Sequence, residues 1–135
     1  MYPGIKIVVK LEYTPAVYVT TVMTKTNSLP RKKFELLVER ALASLPQEFQ
    51  NRLENVEVFI EGEPPKDMSN TLGLYEGVPL TERFGHDAIL PDRITLFKGP
   101  IERACRNEAE IEKEVRLTVL HEVGHFFGLD EAQLE

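Results

Sequence analysis

Cysteine is nearly missing from this chain of 135 residues: Cys105 stands alone, so no intramolecular disulfide can form. Secreted domains of this size more often carry several cysteines in even number, and a reducing, cytoplasmic setting is therefore predicted. Nothing marks a basic partner that would make the thiol reactive, so Cys105 in "IERACRN" reads as a small apolar packing residue. Long hydrophobic runs are also lacking, and none approaches the ~20 residues needed to span a bilayer. The opening "MYPGIKIVVKLEYTPAVYV" has no basic segment leading into an unbroken apolar stretch, so neither a secretory leader nor a membrane partner is expected. Basic side chains are outnumbered 16 to 22, which leaves a net charge of -6. Attraction to a phosphate backbone would work against that charge, and nucleic acid is excluded as the expected partner. Repeats and low-complexity tracts are absent.

What is present suffices for one folded domain over residues 1–135. Hydrophobic residues make up 42% and charged residues 28%, ordinary globular proportions. "GIKIVVKLEY" puts Ile5, Ile7, Val9 and Leu11 on one side, and "AVYVTTVM" is β-branched and aromatic, so a strand pair broken at Thr14 and Pro15 is predicted within residues 1–28. From "NSLPRKKFELLVERALASLP" onward the period changes. Phe34, Leu37, Val38, Ala41, Leu42 and Leu45 share one helical face, with Ser28 a candidate cap and Pro30 in the first turn. A short helix follows Pro46, and "NVEVFI" alternates as a strand carrying Val56, Val58 and Ile60. "EGEPPKDMSN" is a loop, "TLGLYEG" a short strand containing a glycine, "VPLTERFGHDAILPD" a long connection, and "RITLFKG" a further strand.

That last helix is the best marked. Asn107 and Glu110 have capping-box spacing, and Ile111, Val115, Val119, Val123 and Phe127 recur every fourth residue. Within it "LHEVGHFF" sets His121 and His125 one turn apart, able to reach one metal ion at about 2.0–2.1 Å. The pair points away from the apolar stripe and into a cleft. Glu122 projects about 100° round from His121, beside the metal rather than in line with the ligands. As the only carboxylate from Leu117 to Leu129 it is placed to work as a general base on a water at the ion. One histidine on an apolar helix would more often be a packing residue. Two at this spacing with a glutamate between them point to a Zn2+-dependent hydrolase.

A catalytic zinc normally has three protein ligands. The ten residues after His125 predict against a glutamate on a separate downstream helix and for a sharp turn at Gly128 that returns a ligand within a few residues. Glu131 is the favoured third ligand, and Asp130, one residue earlier, is its rival.

"HEVGHFFGL", with "LGLYEGVPLTER", "LPDRITLFKGPIE" and "FELLVERALASLPQEF", resembles the small zincin-like metallopeptidases of prokaryotes, sometimes called minimal zincins. The resemblance spans residues 30 to 135 and implies an α+β, zincin-like fold, a small mixed sheet packed against a long N-terminal helix and a C-terminal metal-binding helix, with one zinc held by an HExxHxxGxxD-type motif, Glu122 as general base, and a peptide or protein substrate. Here Glu131 stands where that pattern has aspartate. Met1, Met23 and Met68 all precede the motif, so the methionine-bearing turn of the metzincins cannot follow it. By analogy with larger zincins, "TLGLYEG" becomes the edge strand along which a peptide adds, and Tyr75 or His86 could assist an oxyanion. The competing reading is a metal-binding or interaction module without catalysis.

Overall fold

The computed structural model describes residues 5–9, 28–79 and 90–134, the side chains of 5–9, 131 and 134 excepted. In chain order the elements are β1 (Ile5–Val9), α1 (Arg31–Ala43), α2 (Gln47–Arg52), β2 (Val56–Glu61), a single 3-10 turn (Lys66–Met68), β3 (Gly73–Glu76), β4 (Asp92–Phe97), α3 (Lys98–Arg103), α4 (Glu108–Phe126) and α5 (Glu131–Leu134). Together they form the α+β, zincin-like arrangement expected, a mixed sheet with helices packed against it.

The strand order is β1-β2-β4-β3. The first three are parallel, Val58 facing Ile7 on one side and Ile94 on the other, while β3 runs antiparallel to β4 with Tyr75 opposite Ile94. A register set this way turns Val56, Val58, Ile60, Ile94 and Leu96 to one face, where they join Phe34, Leu37, Val38 and Leu42 of α1 and Ile111, Val115, Val119 and Val123 of α4 in one buried core. Among the described residues no helix is long and apolar enough to cross a membrane.

Three local expectations are revised. The cap of α1 is Pro30 and not Ser28, with no side-chain bond to the first turn. Ser28 lies two residues too early because Leu29 is pinned: its amide donates to the buried carboxylate of Glu102 at 2.9 Å. "KGPIER" is the helix α3 rather than the end of a strand. A proline in a first helical turn gives up an amide that has no partner there anyway, so Gly99–Pro100 opens a helix here instead of a turn. In α4 it is Phe126 that is fully buried, while Phe127, at the C-cap, is partly exposed and stacks on Phe49 with ring centres 5.1 Å apart. A repeat of 3.6 rather than 4 carries the stripe from Val123 to Phe126. β1 itself pairs in parallel with β2; the second strand of the expected pair, like His86, lies outside the described residues.

Candidate active site

The helix that carries the motif is fixed at both ends. At its start the Asn107 side chain accepts from the Glu110 amide at 2.9 Å, and Glu110 in turn accepts from the Arg106 amide at 2.8 Å. The first bond satisfies one orphan donor of the helix N-terminus, and the second ties the residue before the cap to the first turn. At the other end Gly128 takes φ 90. Its amide donates to His125 O at 2.9 Å, and the amide of Leu129 donates to Gly124 O at 3.0 Å. This is the paired-bond C-terminal turn that glycine favours, because a side chain is strained at such a φ.

The turn has a second consequence, which the sequence reading missed. It brings the carbonyl of Leu129 to 2.9 Å from Nδ1 of His125. A carbonyl only accepts, so Nδ1 carries the proton and Nε2 is the nitrogen left with a lone pair. A backbone acceptor on the far nitrogen is the usual way a metal-binding imidazole is oriented.

His121 and His125 are half-buried, with ring centres 4.9 Å apart and planes at 83°. An ion at the usual zinc–nitrogen distance stands about 3.2 Å from each ring centre. Centres 4.9 Å apart would then subtend about 100°, close to the tetrahedral angle. By ring separation the two imidazoles match a pair sharing one zinc. Among the described residues no group of three potential ligands converges. Asp130 is occupied as a helix cap: its carboxylate accepts from the Gln133 amide at 3.0 Å, and the Gln133 side chain accepts from the Asp130 amide at 2.8 Å. This reciprocal cap starts α5 directly at Glu131.

Glu122 is buried, 6% exposed, against β3. A Cβ built on Gly73 would lie 2.7 Å from Thr118 Cγ2, 3.2 Å from Glu122 Cγ and 3.3 Å from Glu122 Oε2. The glycine in "TLGLYEG" is thus what lets the edge strand approach the helix at Glu122. Two hollows flank this contact. One holds Leu72, Glu114, Thr118 and His121, and the other holds Leu74, Tyr75, His125 and Asp130; Gly73 and Glu122 border both. The cleft thus runs between β3 and α4 with Glu122 at its midpoint.

The Tyr75 hydroxyl is engaged by the neighbouring strand. It donates to the buried carboxylate of Asp92 at 2.5 Å, and its ring meets Phe126 edge-on at 6.3 Å between centres. That arrangement braces β3 against β4 and α4.

Residues 53–135 match the zincin-like metallopeptidase family, and the chain belongs to it. Among solved structures it is similar to a conserved hypothetical protein from Thermo thermophilus, at 32% identity over 71% of this chain and 92% of that one, with a TM-score of 0.51. No curated protein matches.

Proposed function

We propose that the chain is a zinc-dependent peptidase in which His121, His125 and Glu131 hold the metal and Glu122 is the general base. The observation that carries this reading is the buried carboxylate of Glu122 at the middle of a cleft, next to two imidazoles spaced for one ion. A purely structural zinc site would have no use for it. Bound zinc supplies Lewis acidity, polarising a scissile carbonyl and acidifying water. Glu122 takes a proton from the attacking water as oxygen bonds to the carbonyl carbon, then delivers it to the amine nitrogen as the C–N bond breaks. The carbonyl of Leu129 keeps the His125 ring from rotating. Among the described strands β3 is outermost, and on this reading an extended peptide substrate adds alongside it, its backbone pairing with the strand. Glu131 is supported as third ligand by its place right after the Gly128 turn and by the engagement of its rival Asp130 in capping α5. The buried, solitary Cys105 supports a cytoplasmic setting, and the net charge of -6 argues against nucleic acid as a partner.

The test is Glu122→Gln. Glutamine keeps the size and still hydrogen-bonds water but cannot take the proton, so hydrolysis of a mixed peptide library should fall ~10²–10⁴-fold with zinc content unchanged. If zinc-loaded wild type cuts nothing across a broad library, the chain is a metal-binding or interaction module instead.

A further inference from the structure

Beside the catalytic cleft, on the other flank of His121, lies a second and more apolar hollow of about 730 Å³, between α2, α4 and the Gly128 turn. Its volume is in the range of small-ligand sites. Six large apolar side chains stand exposed among the described residues, and three of them, Leu117 (50%), Leu120 (45%) and Leu129 (39%), line this one hollow. Exposed apolar surface gathered in a concavity marks a binding site, whereas the same residues scattered singly would not. Phe49 and Phe127 form its floor.

Arg52 is the one charged residue among the described residues of the lining. Lys33, Arg40, Lys98, Arg103 and Arg106 each pair with a carboxylate. For Arg52 the described residues offer only the face of Phe127, 5.8 Å from the guanidinium to the ring centre. An apolar hollow with an arginine that lacks an acidic partner calls for a group that is apolar and anionic at once.

We propose that this hollow binds the C-terminal residue of a peptide, a large apolar side chain lying among Leu117, Leu120 and Phe127 while its α-carboxylate pairs with Arg52. In an extended peptide neighbouring side chains point to opposite faces, so an apolar residue and an adjacent Asp or Glu cannot both enter one hollow. A terminal residue brings both groups on one Cα. Self-association through this patch would bring together two chains of charge -6. The wall shared with His121 sets the bound residue beside the proposed metal. Resting on the peptidase reading, this makes the favoured substrate a peptide that loses its last, large apolar residue.

Binding can be read without cleavage. The Glu122→Gln protein is titrated with N-acetyl-Ala-Ala-Phe as the free acid and as the C-terminal amide, followed by NMR chemical shifts. The acid should bind about tenfold more tightly, the scale of a charge-assisted pair. Adding Arg52→Gln should erase that preference, while Leu120→Asp should weaken acid and amide alike. Both positions are exposed, and far-UV circular dichroism checks that the variants fold. Equal affinity for acid and amide, a preference that survives Arg52→Gln, or a dimer dispersed by Leu120→Asp would each overturn the proposal. Acid-selective binding with no hydrolysis by wild type upholds the hollow and defeats the peptidase reading. Hydrolysis of internal bonds without regard to the terminus does the reverse.

Discussion

Replacing Gly73 by alanine should disturb the site and the fold at one point. The new methyl would meet Thr118 Cγ2 at 2.7 Å, about 1 Å inside an ordinary carbon–carbon contact. Thr118 is 5% exposed and β-branched, so it has little freedom to turn away. β3 is held by its pairing to β4 and by the Tyr75–Asp92 bond. Either α4 or β3 must shift, and overpacking of this kind costs about 1–3 kcal/mol. For a domain of this length that is a fall in melting temperature of about 3–12 °C. The displacement acts on Glu122 as well, because its Cγ and Oε2 lie 3.2 and 3.3 Å from the same point. A misplacement approaching 1 Å can cost ~10²-fold in rate. Thermal unfolding by circular dichroism and peptide hydrolysis would be measured for Gly73→Ala, Thr118→Ser and the double variant. Serine lacks the methyl that clashes, so the double variant should melt close to Thr118→Ser alone, a favourable coupling of about 1 kcal/mol or more. Additive losses, or a Gly73→Ala protein as stable as wild type, would show that the strand does not approach the helix as closely as described.

Metal analysis should find about one zinc per chain, lost in the His121→Ala, His125→Ala double variant. Under a graded chelator Glu131→Ala should release zinc sooner than Asp130→Ala; the reverse order would make Asp130 the third ligand. Gly128→Ala, strained at φ 90, should lower zinc affinity ~10–100-fold by freeing the His125 ring from Leu129, and Gly128→Asn should recover much of it because asparagine tolerates that conformation. Unaltered affinity in the alanine variant would dismiss the turn as an orienting device. Burial, followed by the nearby charges of Glu114 and Glu110, pushes the Cys105 thiol up. Alkylation by iodoacetamide at pH 8 should therefore be slow in the native protein and rapid in guanidinium. A thiol raised on folding contributes stability that is full below its unfolded pKa of about 8.5 and is lost as pH climbs above it. Equal alkylation rates in the two states would contradict the burial.

The parts of this molecule legible in its sequence are those written in local spacing. His121, Glu122 and His125 stand on one helix, and the Asn107 cap, the Val56–Val58–Ile60 alternation and the glycine turn at 128 each involve residues within a few positions of one another. What stayed hidden depends on residues distant in the chain. Leu29 is held by Glu102, 73 residues away, and this displaces the start of α1 from the cap that spacing indicates. Gly73 reads as a blemish in a strand until Thr118 and Glu122 are found against it. Tyr75 invites a catalytic role until its hydroxyl is found on Asp92. A main-chain carbonyl such as that of Leu129 carries no side-chain signal at all, yet it selects the tautomer of His125.

These hidden contacts share a location. Gly73, Tyr75, Asp92 and Leu129 all act on the two sides of the cleft, and each limits a motion that the motif alone would leave free. α4 places two imidazoles and a carboxylate but cannot by itself decide which ring nitrogen is presented or how far the carboxylate is withdrawn from water. The turn at Gly128 decides the first for His125, and the approach of β3 decides the second for Glu122. The same strand is outermost among the described strands and, under the proposed function, the one along which a peptide pairs. Because Glu122 stands on α4, a shift of β3 or of α4 alone would change the distance between the proposed base and a substrate paired with the strand. The bracing of β3 by the Tyr75–Asp92 bond and the Phe126 ring is accordingly as much a part of the site as the histidines are.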